Sequence, residues 1–269
     1  MTEVVTSPHN QLVKTAAALR QKKYRDELGL FAVEGVRLAE ELAGAGWSTE
    51  YCLFTPAAAA NPRAAKVLAT LAAAGCRQVE VTEAVFAKVT DTEEPQGLLV
   101  VAGKRPTALA ELLTQPVPLL AVLDDIRDPG NAGTVVRTAA AAGCSGVVLL
   151  KGCADLYAGK TVRATMGALF SLPVAEGVDR PELVDALAKA GVPLVATALE
   201  GATPYFAGDL SGPAAIVFGN EGRGVGDELL AAAARRLYIP LYGRVESLNV
   251  AAAAAVILYE AARQRRASL

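Results

Sequence analysis

Three stretches in the C-terminal half of this 269-residue chain are apolar without alternation: residues 119–123, 146–150 and 214–218. A strand with one face in water alternates apolar and polar side chains. Unbroken runs therefore predict a parallel sheet covered by helices on both faces. Further strands are expected at 172–174, 194–198 and 237–239, with helices between them, among them 131–142 and a last one at 247–263. A polar cluster follows three of these strands. The clusters are Asp128-Pro129-Gly130-Asn131-Ala132-Gly133 with Arg137 behind it, Phe218-Gly219-Asn220-Glu221-Gly222, and Ile239-Pro240-Leu241-Tyr242-Gly243 running into Ser247-Leu248-Asn249. Open α/β sheets bind ligands at the carboxyl ends of their strands. The small residues in each cluster let backbone groups approach a ligand closely.

Residues 104–118 contain three prolines and read as a linker with at most a short helix. The expected organisation is a domain over 1–103, this linker, and a second domain over 119–269. The first is a small alternating α/β unit. It has helices at 10–21, 34–45, 62–74 and 83–88, and strands at 30–33, 51–54, 78–81 and 97–102.

Composition excludes several chemistries. His9 is the sole histidine and lies near the N-terminus. A histidine-based metal site or a Ser-His-Asp triad is therefore not expected, and no metal is assigned. Cys52, Cys76, Cys144 and Cys153 show no C-x-x-C spacing and read as small buried hydrophobes in a reducing compartment. No charge-free apolar run reaches the roughly 18 residues of a membrane span, and no signal peptide is visible. A cytoplasmic protein without a membrane partner is expected. The net charge of −2 advertises no polyanion, yet a local basic patch suffices to bind one.

Each cluster has a structural reading beside a functional one. Asn131 sits where a helix should begin and suits an N-cap. Arg137 falls inside a small, apolar helix, where a guanidinium needs either an ion-pair partner or an anionic ligand. The 219–222 segment is neither a Walker loop nor G-x-G-x-x-G. It is a glycine turn that holds one carboxylate. Ser247 suits a helix cap, and without a histidine it is no hydrolase nucleophile.

Taken in order, the clusters resemble the SpoU (TrmH-type) branch of the SPOUT RNA methyltransferases. The matching blocks run from Asp128 to Ala139, from Ile216 to Gly224, and from Ile239 through Ser247-Leu248-Asn249 to Ala251. Residues 162–170, Val162 to Phe170, resemble the family's intervening segment, with Thr165 where Ser is more usual. The N-terminal residues Ser7-Pro8-His9-Asn10, Lys14, Arg20, Lys22-Lys23-Tyr24-Arg25 and Phe31-Ala32-Val33-Glu34-Gly35 resemble the family's substrate-binding domain.

This resemblance implies a C-terminal SPOUT α/β fold with a deep trefoil knot and an L30e-like N-terminal domain. It also implies S-adenosylmethionine as methyl donor, a homodimer, and a ribose 2′-hydroxyl of RNA as acceptor, with ribosomal RNA (23S) ahead of tRNA. Two alternatives stay open: an RNA-binding protein with a vestigial cofactor site, and a base methyltransferase. Carried over residue by residue, the cofactor pocket comprises Thr197, Ala198, Gly219, Asn220, Glu221, Ile239, Pro240, Leu241, Ser247, Leu248 and Asn249. Arg137 acts on the 2′-hydroxyl, while Asn131, Glu221, Ser247 and Asn249 orient the reacting groups. RNA contacts fall to Lys14, Arg20, Lys22, Lys23, Arg25 and Arg163. A protonated guanidinium has no acceptor. Bringing one to neutrality costs about 1.36 kcal/mol per pKa unit, so a cationic role stabilising alkoxide or phosphate is favoured over a general base.

Overall fold

The apolar runs pair side by side in one direction. The computed structural model describes residues 3–267. The chain forms two compact units, one up to Arg105 together with Tyr157–Phe170, the other Pro106–Leu156 together with the chain from Ser171 onward.

The first unit runs β1 (Glu3–Val5), α1 (Gln11–Ala18), α2 (Lys22–Leu28), β2 (Leu30–Glu34), α3 (Val36–Gly44), β3 (Thr49–Phe54), α4 (Pro56–Ala60), α5 (Pro62–Ala73), β4 (Arg77–Val81), α6 (Glu83–Phe86) and β5 (Leu98–Gly103). Its sheet order is β1-β4-β3-β5-β2. The β1–β4 and β3–β4 pairs are parallel, and β5 is antiparallel to both β3 and β2. Val13, Leu53, Val79, Phe86 and Leu99 form part of its core.

The helix expected at 10–21 ends at Ala18, and a second helix, α2, follows at Lys22. Asn10 caps α1 by accepting from the Leu12 N–H at 2.8 Å. Past α1 the chain turns, and Arg25 of α2 reaches back. It donates to the carbonyls of Leu19 at 2.7 Å and Arg20 at 2.8 Å. These are carbonyls that the end of a helix leaves without intrahelical partners. Arg25 is only 4 % exposed, so it is a buried brace and is withdrawn from the RNA-contact set.

The second unit contributes α7 (Leu109–Leu112), β6 (Leu119–Leu123), α8 (Pro129–Ala141) and β7 (Gly146–Leu150). After α9 (Gly159–Thr165) come β8 (Val174–Val178), α10 (Arg180–Ala190), β9 (Leu194–Thr197), β10 (Thr203–Pro204), β11 (Ala214–Phe218), α11 (Asp227–Ala232), β12 (Arg235–Tyr238) and α12 (Val250–Ala267). All pairs are parallel, in the order β10-β12-β9-β11-β6-β7-β8. The chain builds outward from β6 through β7 to β8, then continues on the far side with β9, β11 and β12. The order therefore reverses between β6 and β11, which is where such a sheet opens a crevice. Every residue of β6, β7 and β11 is buried, as unalternating apolar strands require.

Two boundaries differ from expectation. Most of the 104–118 stretch folds with the second unit, because Leu109 and Leu112 of α7 join its core. Residues Tyr157–Phe170, expected with the second domain, pack in the first unit. The Tyr157 ring lies 4.8 Å from Phe31 and Phe170 lies 5.3 Å from Trp47. The Tyr157 hydroxyl accepts from the Arg105 N–H and donates to its carbonyl, at 3.3 and 3.2 Å. The strand expected at 172–174 lies later, at Val174–Val178, where Glu176 and Gly177 dilute the apolar signal. All four cysteines are free. Burial pushes the Cys144 thiol up to about 12 and that of Cys153 up to about 11. Among the described residues no helix is long and apolar enough to cross a membrane.

Candidate active site

The three clusters meet through one side chain. At the start of α8 the N-cap is Asp128, whose carboxylate accepts from the Asn131 N–H at 2.7 Å. This corrects the reading of Asn131 as the cap. Relieved of that task, the Asn131 side chain donates from Nδ2 to Glu221 Oε1 at 2.6 Å and accepts from Asn249 Nδ2 at 3.0 Å. Residues from the β6, β11 and β12 loops are thus tied together at the switch point.

Each partner is fixed in turn. Asn220 donates to the Asp125 carbonyl at 2.9 Å, and its Oδ1 accepts from the N–H groups of Gly222 and Arg223 at 3.0 and 3.2 Å. Those bonds shape the turn that presents Glu221. A Cβ on Gly219 would overlap the backbone of Gly224 and Val225, so the turn closes only around glycine. Asn249 is the cap of α12, accepting from Ala251 and Ala252 at 2.9 and 3.3 Å. This corrects the reading of Ser247 as the cap. The last helix consequently begins at Val250, not at 247.

Ser247 instead lines a cleft of about 210 Å³. Thr197, Ala198, Ile239, Leu241 and Leu248 are also in its walls, with Leu199, Leu237 and Ile257. The floor is the carboxyl end of neighbouring parallel strands. Thr197 pairs with Leu237, Ala198 N–H donates to the Leu237 carbonyl at 3.0 Å, and Thr197 Oγ1 donates to the Val217 carbonyl at 2.9 Å. Gly219, Asn220, Glu221, Pro240 and Asn249 are not among the residues lining this cleft. Apolar walls with Thr197, Tyr238, Glu246 and Ser247 as the few polar side chains suit the flat base and hydroxyls of an adenosyl group.

Arg137 is not buried, contrary to the sequence expectation. The buried face of α8 is Ala132, Gly133, Val135, Val136 and Ala139, and it packs against α12. Arg137 lies on the exposed face, and among the described residues it makes no hydrogen bond or ion pair. Its guanidinium needs no internal partner and is free for an external one.

The proposed RNA contacts divide by environment. Lys14 and Lys23 are exposed. Lys22 pairs with Asp26 at 2.9 Å, Arg20 with Asp91 at 2.7 Å, and Arg163 with Glu34 at 3.9 Å. Sequence reasoning passed over Asp124, Asp125 and Arg180, which surround the 219–226 turn. The acidic doublet that directly follows the apolar run 119–123 was the available signal.

Family models match both halves of the chain. Residues 118–259 match the SpoU rRNA Methylase family, and residues 10–100 match the MRM3-like substrate binding domain. The chain belongs to the SpoU rRNA methylase family. A Bacillus subtilis relative, the 23S rRNA (guanosine(2553)-2′-O)-methyltransferase RlmP, is 38 % identical over 95 % of this chain and 97 % of its own. The Streptomyces viridochromogenes 23S rRNA (uridine(2479)-2′-O)-methyltransferase is 30 % identical over 97 % of this chain and 92 % of its own. An AdoMet-bound rRNA methyltransferase from Sinorhizobium meliloti superposes with a TM-score of 0.88 at 36 % identity, covering 97 % of this chain and 98 % of that one. The fold is that of the SPOUT methyltransferases, as the sequence blocks implied.

The closure of the SpoU turn around Gly219 has a direct test. Gly219→Ala should destabilise the protein by about 1–3 kcal/mol in urea denaturation, the usual cost of overpacking. Gly243→Ala, where a Cβ meets nothing within 4 Å, should change stability by less than about 0.5 kcal/mol. Equal stabilities for the two variants would refute the claim.

Proposed function

We propose that this chain transfers a methyl group from S-adenosylmethionine to a ribose 2′-hydroxyl of 23S ribosomal RNA. The supporting observation is the Asn131 junction, which ties Glu221 and Asn249 together while Leu248, the neighbour of Asn249, forms a wall of the adenosyl-sized cleft. The family relatives named above, which act on 23S rRNA 2′-hydroxyls, place ribosomal RNA ahead of tRNA.

The donor supplies a sulfonium-activated methyl, so the protein has to align the acceptor oxygen with it and manage a proton. The cleft residues from β9, β12 and the 239–249 loop hold the adenosyl group. Glu221, Asn131 and Asn249 form the polar edge that orients the ribose and the charged end of the donor. Arg137 offers five N–H donors and no acceptor. It therefore holds the phosphate next to the reacting ribose, or the developing alkoxide, instead of taking the proton. Tritium-methyl incorporation into ribosomal RNA, followed by nucleoside analysis, should yield a 2′-O-methylnucleoside. A methylated base, or donor binding without product, would decide for the alternatives.

A homodimer built through the second unit accompanies this reading, and the enzyme works in the cytoplasm, where its RNA is. That unit exposes Leu199, Phe206, Tyr242, Val245 and Tyr259, each more than half accessible in the single chain. These exposed apolar side chains are the candidates for the contact with a second copy. Light scattering at micromolar concentration should give twice the chain mass. A fully active monomer would refute the dimer.

Arg137→Ala should abolish methyl transfer while donor affinity, measured by calorimetry, stays within a few-fold. Arg137→Lys should also be severely impaired, since an ammonium lacks the planar fork. Near-normal turnover in either variant would remove Arg137 from the mechanism.

The first unit binds the RNA through Lys14, Lys22 and Lys23, with Arg20 and Arg163 contributing after release from their carboxylate partners. Replacing the three lysines by alanine should weaken RNA binding and reduce the slope of log K against log salt by about 0.7–0.9 per lost phosphate contact. Donor affinity should not change. An unaltered slope would place the RNA on another face.

A further inference from the structure

We infer that Asp124, held by Arg180, is a positioning residue that sets the 219–226 turn and, through it, Glu221; this rests on the reading that the turn belongs to the methyl-donor site. Asp124 directly follows β6, and its side chain is 1 % exposed. Its backbone N–H donates to the Phe218 carbonyl at 2.9 Å, where the turn begins. Its Oδ2 accepts from the Gly226 N–H at 2.8 Å, where the turn ends. One residue therefore grips both ends of the turn.

The carboxylate is itself locked. Arg180, the first residue of α10, donates to Asp124 Oδ1 from Nε at 2.9 Å and from Nη2 at 2.7 Å. Both carboxylate oxygens are thus used, as a buried charge requires. The Arg180 guanidinium also lies against Gly226, where an added Cβ would meet Cζ and Nε at 3.1 Å. A larger residue at 226 would push the two apart.

Asp125 adds an independent sign. Its φ is +56°, and it and Met166 are the only non-glycine residues of positive φ among those described. Such backbone persists where the surroundings impose it, often at functional sites. Here it turns the Asp125 carbonyl to the Asn220 side chain, 2.9 Å away, near the start of the turn. The turn is consequently held twice near its start and once at its end by two consecutive residues. Glu221, the residue after Asn220, reaches Asn131 from that frame.

A brace for the sheet as a whole and a positioning clamp give different results. In Asp124→Asn the amide cannot accept from both the Arg180 fork and Gly226. Backbone hydrogen exchange of 219–226 should speed up about tenfold, the effect of losing a charge-assisted bond, while exchange in β6 and β11 stays unchanged. S-adenosylmethionine Kd by calorimetry should rise about tenfold, and RNA affinity should stay within about twofold. Arg180→Lys keeps a cation beside the buried Asp124 carboxylate and is the variant to use should Asp124→Asn not fold, whereas Arg180→Ala leaves that charge unpaired. Arg180→Lys should fall between wild type and Arg180→Ala, since an ammonium replaces the fork with a point charge. Unchanged exchange in the turn, or faster exchange spread evenly over β6 and β11, would overturn the inference. The exchange readout needs no donor, so failure of the wild type to bind S-adenosylmethionine would sink the proposed function and still leave the clamp decided.

Discussion

β6 and β11 run in the same direction and end at the same level, with Leu123 paired to Phe218. Parallel pairing has a consequence that antiparallel pairing lacks: both loops leave the sheet on the same side. The loop after β6 carries Asn131, and the loop after β11 carries Glu221. They can share a hydrogen bond only because no other strand separates them. β9 lies beyond β11 and β7 beyond β6, so the reversal of strand order leaves this edge of the sheet open. β12 and β9 then supply the cleft in the same way, from the same ends. The site is a property of strand order before it is a property of any side chain.

The sheet was legible because its strands are buried on both faces, and burial of that kind leaves an unmistakable pattern. The runs at 119–123, 146–150 and 214–218 were placed to the residue. The polar blocks were legible as blocks, but their internal division of labour was not. Asn131 and Ser247 looked like caps because both stand near a helix start. In the folded chain Asp128 and Asn249 take those positions, three residues earlier and two residues later. Any Asp, Asn or Ser can accept from a free backbone N–H, so composition cannot choose among neighbours a turn apart. The packing of Tyr157–Phe170 in the first unit was invisible for a different reason. It depends on rings from Phe31 and Trp47, more than a hundred residues away in sequence. A knot leaves no trace in periodicity at all, and only resemblance to a family could suggest it.

Arg25 shows why a run of basic residues is a weak guide to a binding surface. Within Arg20, Lys22, Lys23 and Arg25 the charges are uniform in sequence and unlike in structure. Arg25 points inward onto helix-end carbonyls, whereas Lys23 lies in solvent with its Nζ 5.8 Å from the Tyr24 ring. Lys22 shares Asp26 with Lys104, at 2.9 Å each. The two ammonium groups hold the Asp26 carboxyl down at about 2, chiefly through the hydrogen bond from Lys104. That carboxylate keeps its charge near neutral pH. A phosphate at Lys22 must therefore compete with it, while one at Lys14 or Lys23 need not. The field offered to RNA is smaller than the sequence count, and its salt response should follow the free lysines.

The exposed position of Arg137 bears on what this side chain can do. A cation buried in α8 would have been consumed by an internal carboxylate, and its loss would have cost stability first. An exposed guanidinium one and a half turns beyond Asn131 contributes little to the fold. On the function proposed above, its value would lie in what it meets from outside: a phosphate, or the site of a second copy. The 239–249 loop has a related character. Leu241 and Leu248 form walls of the cleft yet stay more than a third exposed, and Tyr242 and Val245 stand in solvent. Apolar side chains at the rim of an adenosyl-sized cleft lose water when the donor enters or when another chain covers them. Donor binding and chain association would then draw on the same loop, and each should make the other more favourable. On the readings proposed above, β9, β12 and the Asp124 clamp would fix where the donor lies. The loop between Tyr238 and Val250, which carries those rim side chains, has no strand or helix of its own.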